Sequence, residues 1–330
     1  MQSADKIKYY IARPREISAV KTSPLASQAH HWKHRLGLYG DIPTLVMRAC
    51  MRLIPSSLDN FFLGPVVLMV YLLAGNQRRV VMKNLHAMHE DWAYTERWVA
   101  GYRVFWNFSR TYVDTLRCRH SGKNISWQVE GSELLAELAQ EQRGILIVTA
   151  HMGNYDLAAQ YFTKKLARTM HVVRAPERTE QMQSMRTRYQ DDQVKTHFNM
   201  NDASLGPRLA RLLMDGELVA VQADRVVGDV SPMQVEVEPR LMMQIPRGPW
   251  VLSCLKGVAC LQTTVTRMGY YEYRISMKLM PPSDALERIQ AQQLWGATIM
   301  KTVRKNWSQW YVFEPIFTRS VIDSPAAPMP

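Results

Sequence analysis

Cysteine is scarce in this chain, and its few cysteines form no recognisable pairs. Cys50, Cys118, Cys254 and Cys260 occur at irregular spacings in 330 residues, without a Cys-x-x-Cys pair. This distribution argues against a disulfide framework and against a thiolate metal site. We therefore expect the protein to reside in a reducing compartment.

The sequence also lacks a signal peptide and a long apolar run. The first 30 residues contain no apolar core followed by small residues, so we expect the chain to stay inside the cell. The one membrane-like stretch, residues 61–74, has 14 residues and contains Gly64-Pro65. A spanning helix needs roughly 20 residues. We interpret the stretch as a monotopic or buried helix.

Acidic residues are too few to balance the basic ones. The chain has 41 Lys and Arg against 29 Asp and Glu, a formal net charge of +12. Such an excess favours acidic partners, and a basic leading segment is common at the cytoplasmic face of a membrane. We expect no nucleic acid partner, because the sequence shows no recognition helix, zinc pattern or phosphate-cradling Gly-x-x-x-x-Gly-Lys loop.

Apolar residues make up 47% of the chain, which is ample for a buried core. We divide it into a basic arm at residues 1–40, a helical membrane-associating region at 41–120, an α/β domain at 121–320 and a disordered tail at 321–330. The helical region holds two apolar segments, 42–54 and 58–73, and Ser56 or Ser57 is positioned to cap the second. These segments suit either an interfacial helical pair or two core helices, and both interpretations stay open. Amphipathic helix is expected from residue 76 to about 116.

From residue 132 onward, helical and strand patterns alternate. Helices are predicted at 132–142, 179–195, 205–214 and 284–305, and strands at 145–149, 170–173 and 218–222. An antiparallel hairpin is predicted from 260–266 and 271–280. The alternation predicts an α/β fold, with a mixed, largely parallel central sheet flanked by helices.

A histidine followed five residues later by an aspartate occurs three times, as His86 with Asp91, His151 with Asp156, and His197 with Asp202. Spacing alone therefore identifies no site. The first and last pairs lie in polar stretches of the sequence, and we interpret them as solvated residues.

His151 differs from the other two histidines in its context. It follows the apolar strand 145–149 and precedes a helix, the position where α/β sheets bind ligands. Gly153 permits an unusual backbone angle there, and Asp156 falls in the first helical turn, from which its carboxylate could reach back to the imidazole. A histidine is a suitable general base near neutral pH, and a carboxylate can hold its tautomer. The context predicts that His151 and Asp156 form a catalytic dyad.

The segment Ala150-His-Met-Gly-Asn-Tyr-Asp156 resembles the bacterial lipid A biosynthesis acyltransferases (lauroyl and myristoyl types) and related predicted acyltransferases, within the lysophospholipid acyltransferase superfamily. Further similar blocks are Arg79–Leu85, Val172–Pro176, Gly216–Arg225, Ile245–Trp250 and Trp307–Phe313, which together cover about residues 76 to 317. The chain departs from the lipid A enzymes at Asp156, where they usually carry Glu, at Arg225, where Gln is common, and at Glu238-Pro-Arg240, where Phe-x-Gly is usual.

The resemblance implies a glycerolipid acyltransferase-like fold and direct acyl transfer from an acyl carrier protein or coenzyme A thioester to a hydroxyl or amine of a lipid or glycolipid. His151 would be the general base. Arg174 would bind an acceptor phosphate or the donor phosphopantetheine, and Asp224 with Arg225 would shape the acceptor site or bridge to the dyad. Independently of the resemblance, Arg247-Gly248-Pro249 and the Gly153-Asn154-Tyr155 turn could supply oxyanion donors if their amides face the thioester. No metal and no cofactor beyond the thioester co-substrate is implied. An anionic membrane surface is the expected partner, and the cytoplasmic face of the bacterial inner membrane the expected location, with peripheral or monotopic attachment.

Two other functions remain as alternatives. A thioesterase or other hydrolase could use His151 on the same sheet, although no Gly-x-Ser-x-Gly elbow occurs. A non-catalytic basic lipid-binding protein would rest on charge alone. A basic face for docking an acyl carrier protein, or alternatively a solvated helix face, is formed by Lys164, Lys165, Arg168, Arg178, Arg186 and Arg188. The histidines at 30, 31 and 34 receive no assigned chemistry.

Overall fold

The computed structural model describes residues 54–121, 123–176, 191–198, 202–227, 230–280 and 288–319. The helices are α1 (Asp59–Leu73), α2 (Gly75–Met88), α3 (Tyr94–Ser121), α4 (Ser132–Gln140), α5 (Tyr155–Leu166), α6 (Leu205–Met214), α7 (Arg247–Ser253) and α8 (Arg288–Lys305). The strands are β1 (Ser126–Glu130), β2 (Ile145–Thr149), β3 (Met170–Arg174), β4 (Val194–Phe198), β5 (Leu218–Gln222), β6 (Pro232–Glu238), β7 (Leu241–Pro246), β8 (Ala259–Gly269), β9 (Glu272–Leu279) and β10 (Phe317–Arg319). Two 3-10 turns, Ser56–Leu58 and Trp307–Gln309, complete the elements.

The central sheet has seven strands in the order β1-β9-β8-β2-β5-β3-β4. All neighbouring strands are parallel except β8 and β9, which pair as an antiparallel hairpin. The predicted α/β fold with a mixed, largely parallel sheet flanked by helices is confirmed. In this order β2 and β5 are neighbours, so their carboxyl ends lie together at one edge of the sheet.

The two central strands form because their sequences are short apolar runs buried on both faces. Four of the five residues of β2 are buried. One face packs against α4 and α5 through residues such as Leu138 and Phe162. The other packs against the remaining helices, including α6 and α8, through residues such as Leu213 and Trp295.

A smaller sheet of three antiparallel strands, β10-β7-β6, was not predicted. It packs against α8, where the backbone at Gly296 lies so close to Val235 that a β-carbon would collide with that side chain. The alternating pattern of β6 indicates a half-exposed strand, but the sequence interpretation passed over it.

Several expectations about helix bounds need correction. Residues 194–198 form a strand, not the end of a helix, because Val194 pairs in register with Met170 of β3. The amphipathic region after residue 76 is two helices, separated between Met88 and Tyr94. Neither Ser56 nor Ser57 caps α1, which has no side-chain cap. The basic arm, the apolar residues 42–53, most of the predicted helix at 179–195 and the tail lie outside the described residues.

Helix α1 exposes most of its apolar surface. Val67 and Tyr71 are its buried residues, whereas Phe61 is 74% exposed and Leu73 is 78% exposed. The helical segment Ser56–Leu73 has 18 residues and a mean hydropathy of 1.5, so by length and composition it could cross a membrane. The interpretation of residues 58–73 as a core helix is therefore wrong, because a core helix would bury these side chains.

Candidate active site

The loop between β2 and α5 holds its shape through glycine and through contacts with α3. Gly153 has a φ of +53°, and a β-carbon at this position would collide with the backbone carbonyl of Val265. Asn154 caps α5 by accepting a hydrogen bond from the amide of Leu157. Its side-chain amide donates to the Thr115 hydroxyl at 2.9 Å. The loop is thus fixed from both sides, which positions the preceding His151.

His151 lies at the carboxyl end of β2 and is held by Asp224, which follows β5. The Nδ1 atom of His151 is 2.8 Å from Oδ1 of Asp224, and the His151 backbone amide donates to Oδ2 at 2.9 Å. The indole of Trp310 donates to the same Oδ2 at 2.7 Å. Because one carboxylate contacts both the ring and the backbone of His151, the imidazole orientation is fixed.

The Asp224 carboxylate is completely buried. Burial acts to raise its pKa, but the contacts with His151 and Trp310 outweigh burial and leave the pKa below its ordinary value. A buried, hydrogen-bonded anion next to Nδ1 stabilises an imidazolium and holds the neutral ring with its proton on Nδ1.

The other ring nitrogen of His151 contacts Arg225. The Nε of Arg225 donates to Nε2 of His151 at 3.1 Å, and the Nη1 atom of the same guanidinium is 3.2 Å from the carboxylate of Glu314. An arginine only donates, so Nε2 must accept and the proton must reside on Nδ1. His151 therefore presents a lone pair, the state that a general base requires.

Asp156 does not make the contact that the sequence analysis expected. Its carboxylate forms ion pairs with Arg119 of α3 and with Arg174 of β3, the latter at 3.5 Å. Both ring nitrogens of His151 are engaged by residues that follow β5. The orienting contact assigned to Asp156 is therefore made by Asp224, because the pairing of β2 with β5 places that carboxylate beside the ring.

A cavity of about 890 Å³ opens at this end of the sheet. His151, Tyr155 and Asp156 line it together with apolar side chains from both faces of the sheet. Ala158 and Phe162 line it on the α5 side, and Leu209 and Leu252 on the side of α6 and α7. The cavity can thus enclose long apolar groups beside His151.

Four of the predicted substrate-binding residues line this cavity, namely Arg174, Arg225, Arg247 and Gly248. Asp224 contacts His151 from behind. The predicted oxyanion turns are partly occupied, since the Gly153 amide donates to the Gln309 carbonyl at 3.3 Å and the Arg247 amide to the Ser231 carbonyl at 2.9 Å. These two amides are therefore engaged within the protein.

The His151 ring is hydrogen-bonded to Asp224 and Arg225 rather than to either of the other two His and Asp pairs, although Asp202 also lines the cavity. His86 is exposed on α2. His197 is not the solvated loop residue that we expected, because it lies on β4 and its Nε2 is 2.8 Å from Nδ1 of His171. Burial lowers the pKa of both of these histidines.

The predicted basic face is only partly available for docking. Lys164 and Lys165 are exposed on α5. Arg168 instead donates to four backbone carbonyls, those of Leu138, Ala139, Arg143 and Gly216, and so joins three segments of the fold. The remaining arginines, at 178, 186 and 188, lie outside the described residues.

Sequence reasoning missed several residues that build the site. From α3, Thr115 and Arg119 contact Asn154 and Asp156 of residues 150–156, which we call the motif loop. Trp310 donates a hydrogen bond to Asp224. Gln222 and Thr263 line the cavity as polar residues on central strands. For Gln222 the available signal was a polar residue at the end of an otherwise apolar strand, whereas Thr263 lies in a strand with several polar residues and had no such signal.

Within the part of the chain that the structure describes, no three His, Cys, Asp or Glu side chains are grouped closely enough to hold a metal ion. Its three cysteines, Cys118, Cys254 and Cys260, are free thiols. At His151 the structure shows a buried imidazole and a buried carboxylate beside a largely apolar cavity.

Comparison with curated proteins gives no match. Residues 35–319 match the family model described as bacterial lipid A biosynthesis acyltransferase. The match includes all ten strands and all eight helices of the described structure, and with them the whole site around His151. The chain belongs to the bacterial lipid A biosynthesis acyltransferase family.

Proposed function

We propose that the protein transfers a fatty acyl chain from an acyl carrier protein or coenzyme A thioester to a hydroxyl or amine of a lipid or glycolipid. The observation that carries this proposal is the contact of His151 with buried Asp224 at the end of an apolar cavity. Family membership supports acyl transfer, and the geometry supports general base catalysis at His151.

The proposed step needs no covalent acyl-enzyme. His151 Nε2 takes the proton from the acceptor hydroxyl while the hydroxyl oxygen forms a bond to the thioester carbonyl carbon. The carbon–sulfur bond then breaks, and the imidazolium gives its proton to the departing thiolate. Asp224 stabilises the imidazolium between these two transfers, because its carboxylate lies 2.8 Å from Nδ1.

The acceptor must replace Arg225 at Nε2 before this step. Arg225 is held by a single hydrogen bond to the ring and by Glu314, whose side chain is 55% exposed. An exposed ion pair costs little to break. Once displaced, the Arg225 guanidinium is available to bind an anionic group of the acceptor next to the reacting hydroxyl.

Asp156 acts in this proposal through the arginines. It pairs with Arg174, which lines the cavity, and with Arg119, which does not. Asp156 thereby fixes the Arg174 guanidinium near the cavity. Arg174 is then placed to bind a phosphate of the acceptor or of the phosphopantetheine arm.

The exposed apolar face of α1 supports attachment to a membrane. The family is membrane-associated, and α1 exposes Phe61, Phe62, Met69, Leu72 and Leu73. We place the protein at the cytoplasmic face of the bacterial inner membrane, with α1 in contact with the bilayer. The net charge of +12 favours an anionic lipid surface.

Lys164 and Lys165 support docking of an acidic acyl carrier protein. Both are exposed in the last turn of α5, the helix whose first turn carries Tyr155 and Asp156. A carrier bound there would lie at one end of a helix that also borders the cavity.

The test is release of free thiol from an acyl thioester by the purified protein, with and without membrane extract as a source of acceptor. Acceptor-dependent release that disappears in His151→Ala supports acyl transfer. Release without an acceptor indicates a thioesterase, and no release by the wild type indicates a binding protein. His86→Ala is the matched control, since His86 is exposed on α2 and does not line the cavity, and it should keep wild-type activity.

A further inference from the structure

A polar row crosses the central sheet beside the catalytic histidine. Thr149 of β2 pairs in register with Gln222 of β5. On β8, Thr263 follows Gln262, which pairs with Val148, so Thr263 is level with Thr149. On β3, Arg174 lies two residues after Val172, which pairs with Ala220, so Arg174 is level with Gln222. All four line the cavity. Side chains at one level of adjacent parallel strands point to the same face, so these four form a row.

The row lies on the side of the sheet that α5 covers. Ile147, two residues before Thr149, packs in the core beneath α5, and so do Leu261 and Val265 on either side of Thr263. One level deeper, Ile147, Ala220 and Val172 line the cavity as apolar residues. The cavity wall thus changes from polar to apolar along the strands. A binding site for an acyl group needs this arrangement, with polar side chains at the carbonyl end and apolar side chains along the chain.

Two neutral side chains of this row each have a buried, unsatisfied atom. The Oγ1 atom of Thr263 and the Nε2 atom of Gln222 have no hydrogen-bond partner among the described residues, and both are shielded from solvent. Thr263 itself is only 3% exposed. An unsatisfied buried donor destabilises a folded protein, so a pair of them at one cavity wall is consistent with a bound ligand that accepts their hydrogen bonds.

We propose, building on the proposed acyl transfer, that Gln222 and Thr263 bind the carbonyl oxygen of the acyl thioester over Thr149. The acyl chain then continues into the apolar part of the cavity beneath α5, toward Phe162 and Met170. The two strands that carry the donors lie on either side of β2, about 10 Å apart, so an oxygen above Thr149 accepts from both sides. Both donors stabilise the negative charge that forms on this oxygen when the acceptor attacks.

The engagement of the expected donors supports this assignment. The amides of Gly153 and Arg247 already donate to the carbonyls of Gln309 and Ser231. His151 presents a lone pair rather than a proton at Nε2, and Arg225 is its partner there. Gln222 and Thr263 are neutral donors of the cavity wall that have no acceptor among the described residues.

The experiment measures kcat and KM for acceptor-dependent thiol release in Thr263→Val, Thr263→Ser and Gln222→Met, using dodecanoyl and hexadecanoyl thioesters of coenzyme A and of acyl carrier protein. Loss of one such donor lowers kcat by roughly a hundredfold or more. We expect this loss in Thr263→Val and Gln222→Met, with KM little changed. Thr263→Ser keeps the hydroxyl and should keep most of the activity.

Thr264→Val is the matched control. Thr264 is the next residue of β8 and points to the opposite face of the sheet, outside the cavity lining. It should keep wild-type kinetics. Thermal unfolding of each variant provides the second measurement, and Thr263→Val should keep or raise Tm, because valine has the same shape and removes an unsatisfied hydroxyl.

The outcomes separate this proposal from the proposed function. Wild-type kcat in Thr263→Val and Gln222→Met, together with an inactive His151→Ala, overturns the carbonyl site and leaves acyl transfer standing. If Thr263→Ser lost Tm and activity while Thr263→Val kept both, Thr263 would have a packing role. This result would also overturn the proposal. An active His151→Ala, or no acceptor-dependent release by the wild type, removes the proposed function and the carbonyl site with it.

Discussion

The Nδ1 atom of His151 lies 2.8 Å from the buried carboxylate of Asp224, a residue 73 positions later in the chain. Asp156, five positions later, pairs with arginines instead. The two carboxylates therefore act on different partners. Asp224 contacts the proposed base, and Asp156 contacts Arg174, the proposed phosphate-binding residue of the cavity.

This difference predicts distinct kinetic effects for Asp224→Asn and Asp156→Asn. Asp224→Asn should lower kcat by about 10³- to 10⁴-fold, since the imidazole loses the anion that holds its tautomer. Asp156→Asn should mainly raise KM, because Arg174 loses the carboxylate that fixes it. Steady-state kinetics of acceptor-dependent thiol release separate the two. Equal losses of kcat with unchanged KM would instead mean that Asp156 contacts His151 once substrate is bound.

The lowered pKa of Asp224 predicts a pH-dependent contribution to stability. The pKa in the folded protein lies below the ordinary value of 3.8, so the folded state favours the ionised form. The stabilisation is fully present above that ordinary value and is lost as pH falls toward the folded pKa. Thermal unfolding between about pH 6 and about pH 3 should show a Tm gap between wild type and Asp224→Asn that narrows with falling pH. Asp192→Asn, at an exposed position, is the control, and a constant gap for Asp224→Asn would contradict the prediction.

The strands next to the site could be predicted from sequence because their apolar runs are continuous and bounded. The runs Ile145–Thr149 and Leu218–Gln222 end where the structure ends β2 and β5. The partner of His151 could not be predicted in this way. It depends on the register of β2 against β5, which joins residues 73 positions apart, and a single sequence carries no local signal of that pairing.

Strand β4, which prediction missed, is short and partly polar. In Val194–Phe198, one of five residues is buried, because β4 is the edge strand of the sheet. Its pattern therefore resembles a helix or a loop as much as a strand. The contacts of Thr115 and Arg119 with the motif loop could not be predicted for another reason. They depend on the packing of α3 against this loop, which is a tertiary contact.

The open space around Gly206 predicts that a larger side chain there would fill the cavity. Gly206 lies in the first turn of α6 and lines the cavity, and a β-carbon at this position would meet no atom within 4 Å. Gly206→Leu should leave Tm near that of the wild type and lower kcat/KM by about tenfold to a hundredfold.

Gly75→Leu is the matched control for this cavity test. Gly75 begins α2, has equally open surroundings and does not line the cavity. It should leave kcat/KM unchanged. Wild-type kinetics in Gly206→Leu would show that substrate does not occupy the α6 side of the cavity.

The exposed face of α1 predicts that charge on it weakens membrane attachment. Phe61 and Leu73 are 74% and 78% exposed, so replacing them should not disturb the core. Burying one such side chain contributes about 1.5–3 kcal/mol, and Phe61→Glu with Leu73→Glu should reduce vesicle binding by about a hundredfold. Flotation with vesicles containing anionic lipid measures the effect. The double variant Asn76→Asp with Gln77→Glu, at two exposed positions of α2, carries the same charge change as control, and equal flotation of both proteins would count against contact of α1 with the bilayer.

The close surroundings of Gly153 predict that Gly153→Ala lowers activity for a steric reason. Its φ of +53° strains any other residue, and the added β-carbon would also collide with the backbone carbonyl of Val265 on β8. Backbone of a central strand cannot move aside, so in Gly153→Ala the motif loop must shift and carry His151 away from Asp224. We expect a stability loss of about 1–3 kcal/mol and a loss of kcat well beyond that of the control.

Gly257→Ala is the control that separates backbone strain from the collision of an added β-carbon. Gly257 has a φ of +82°, but a β-carbon there would meet no atom within 4 Å. This variant therefore carries the backbone strain alone, and it should lose about 1 kcal/mol and keep its activity. If Gly153→Ala behaved like Gly257→Ala, the position of His151 would not depend on close contact between the motif loop and β8, and the fixed geometry of the base would need another source.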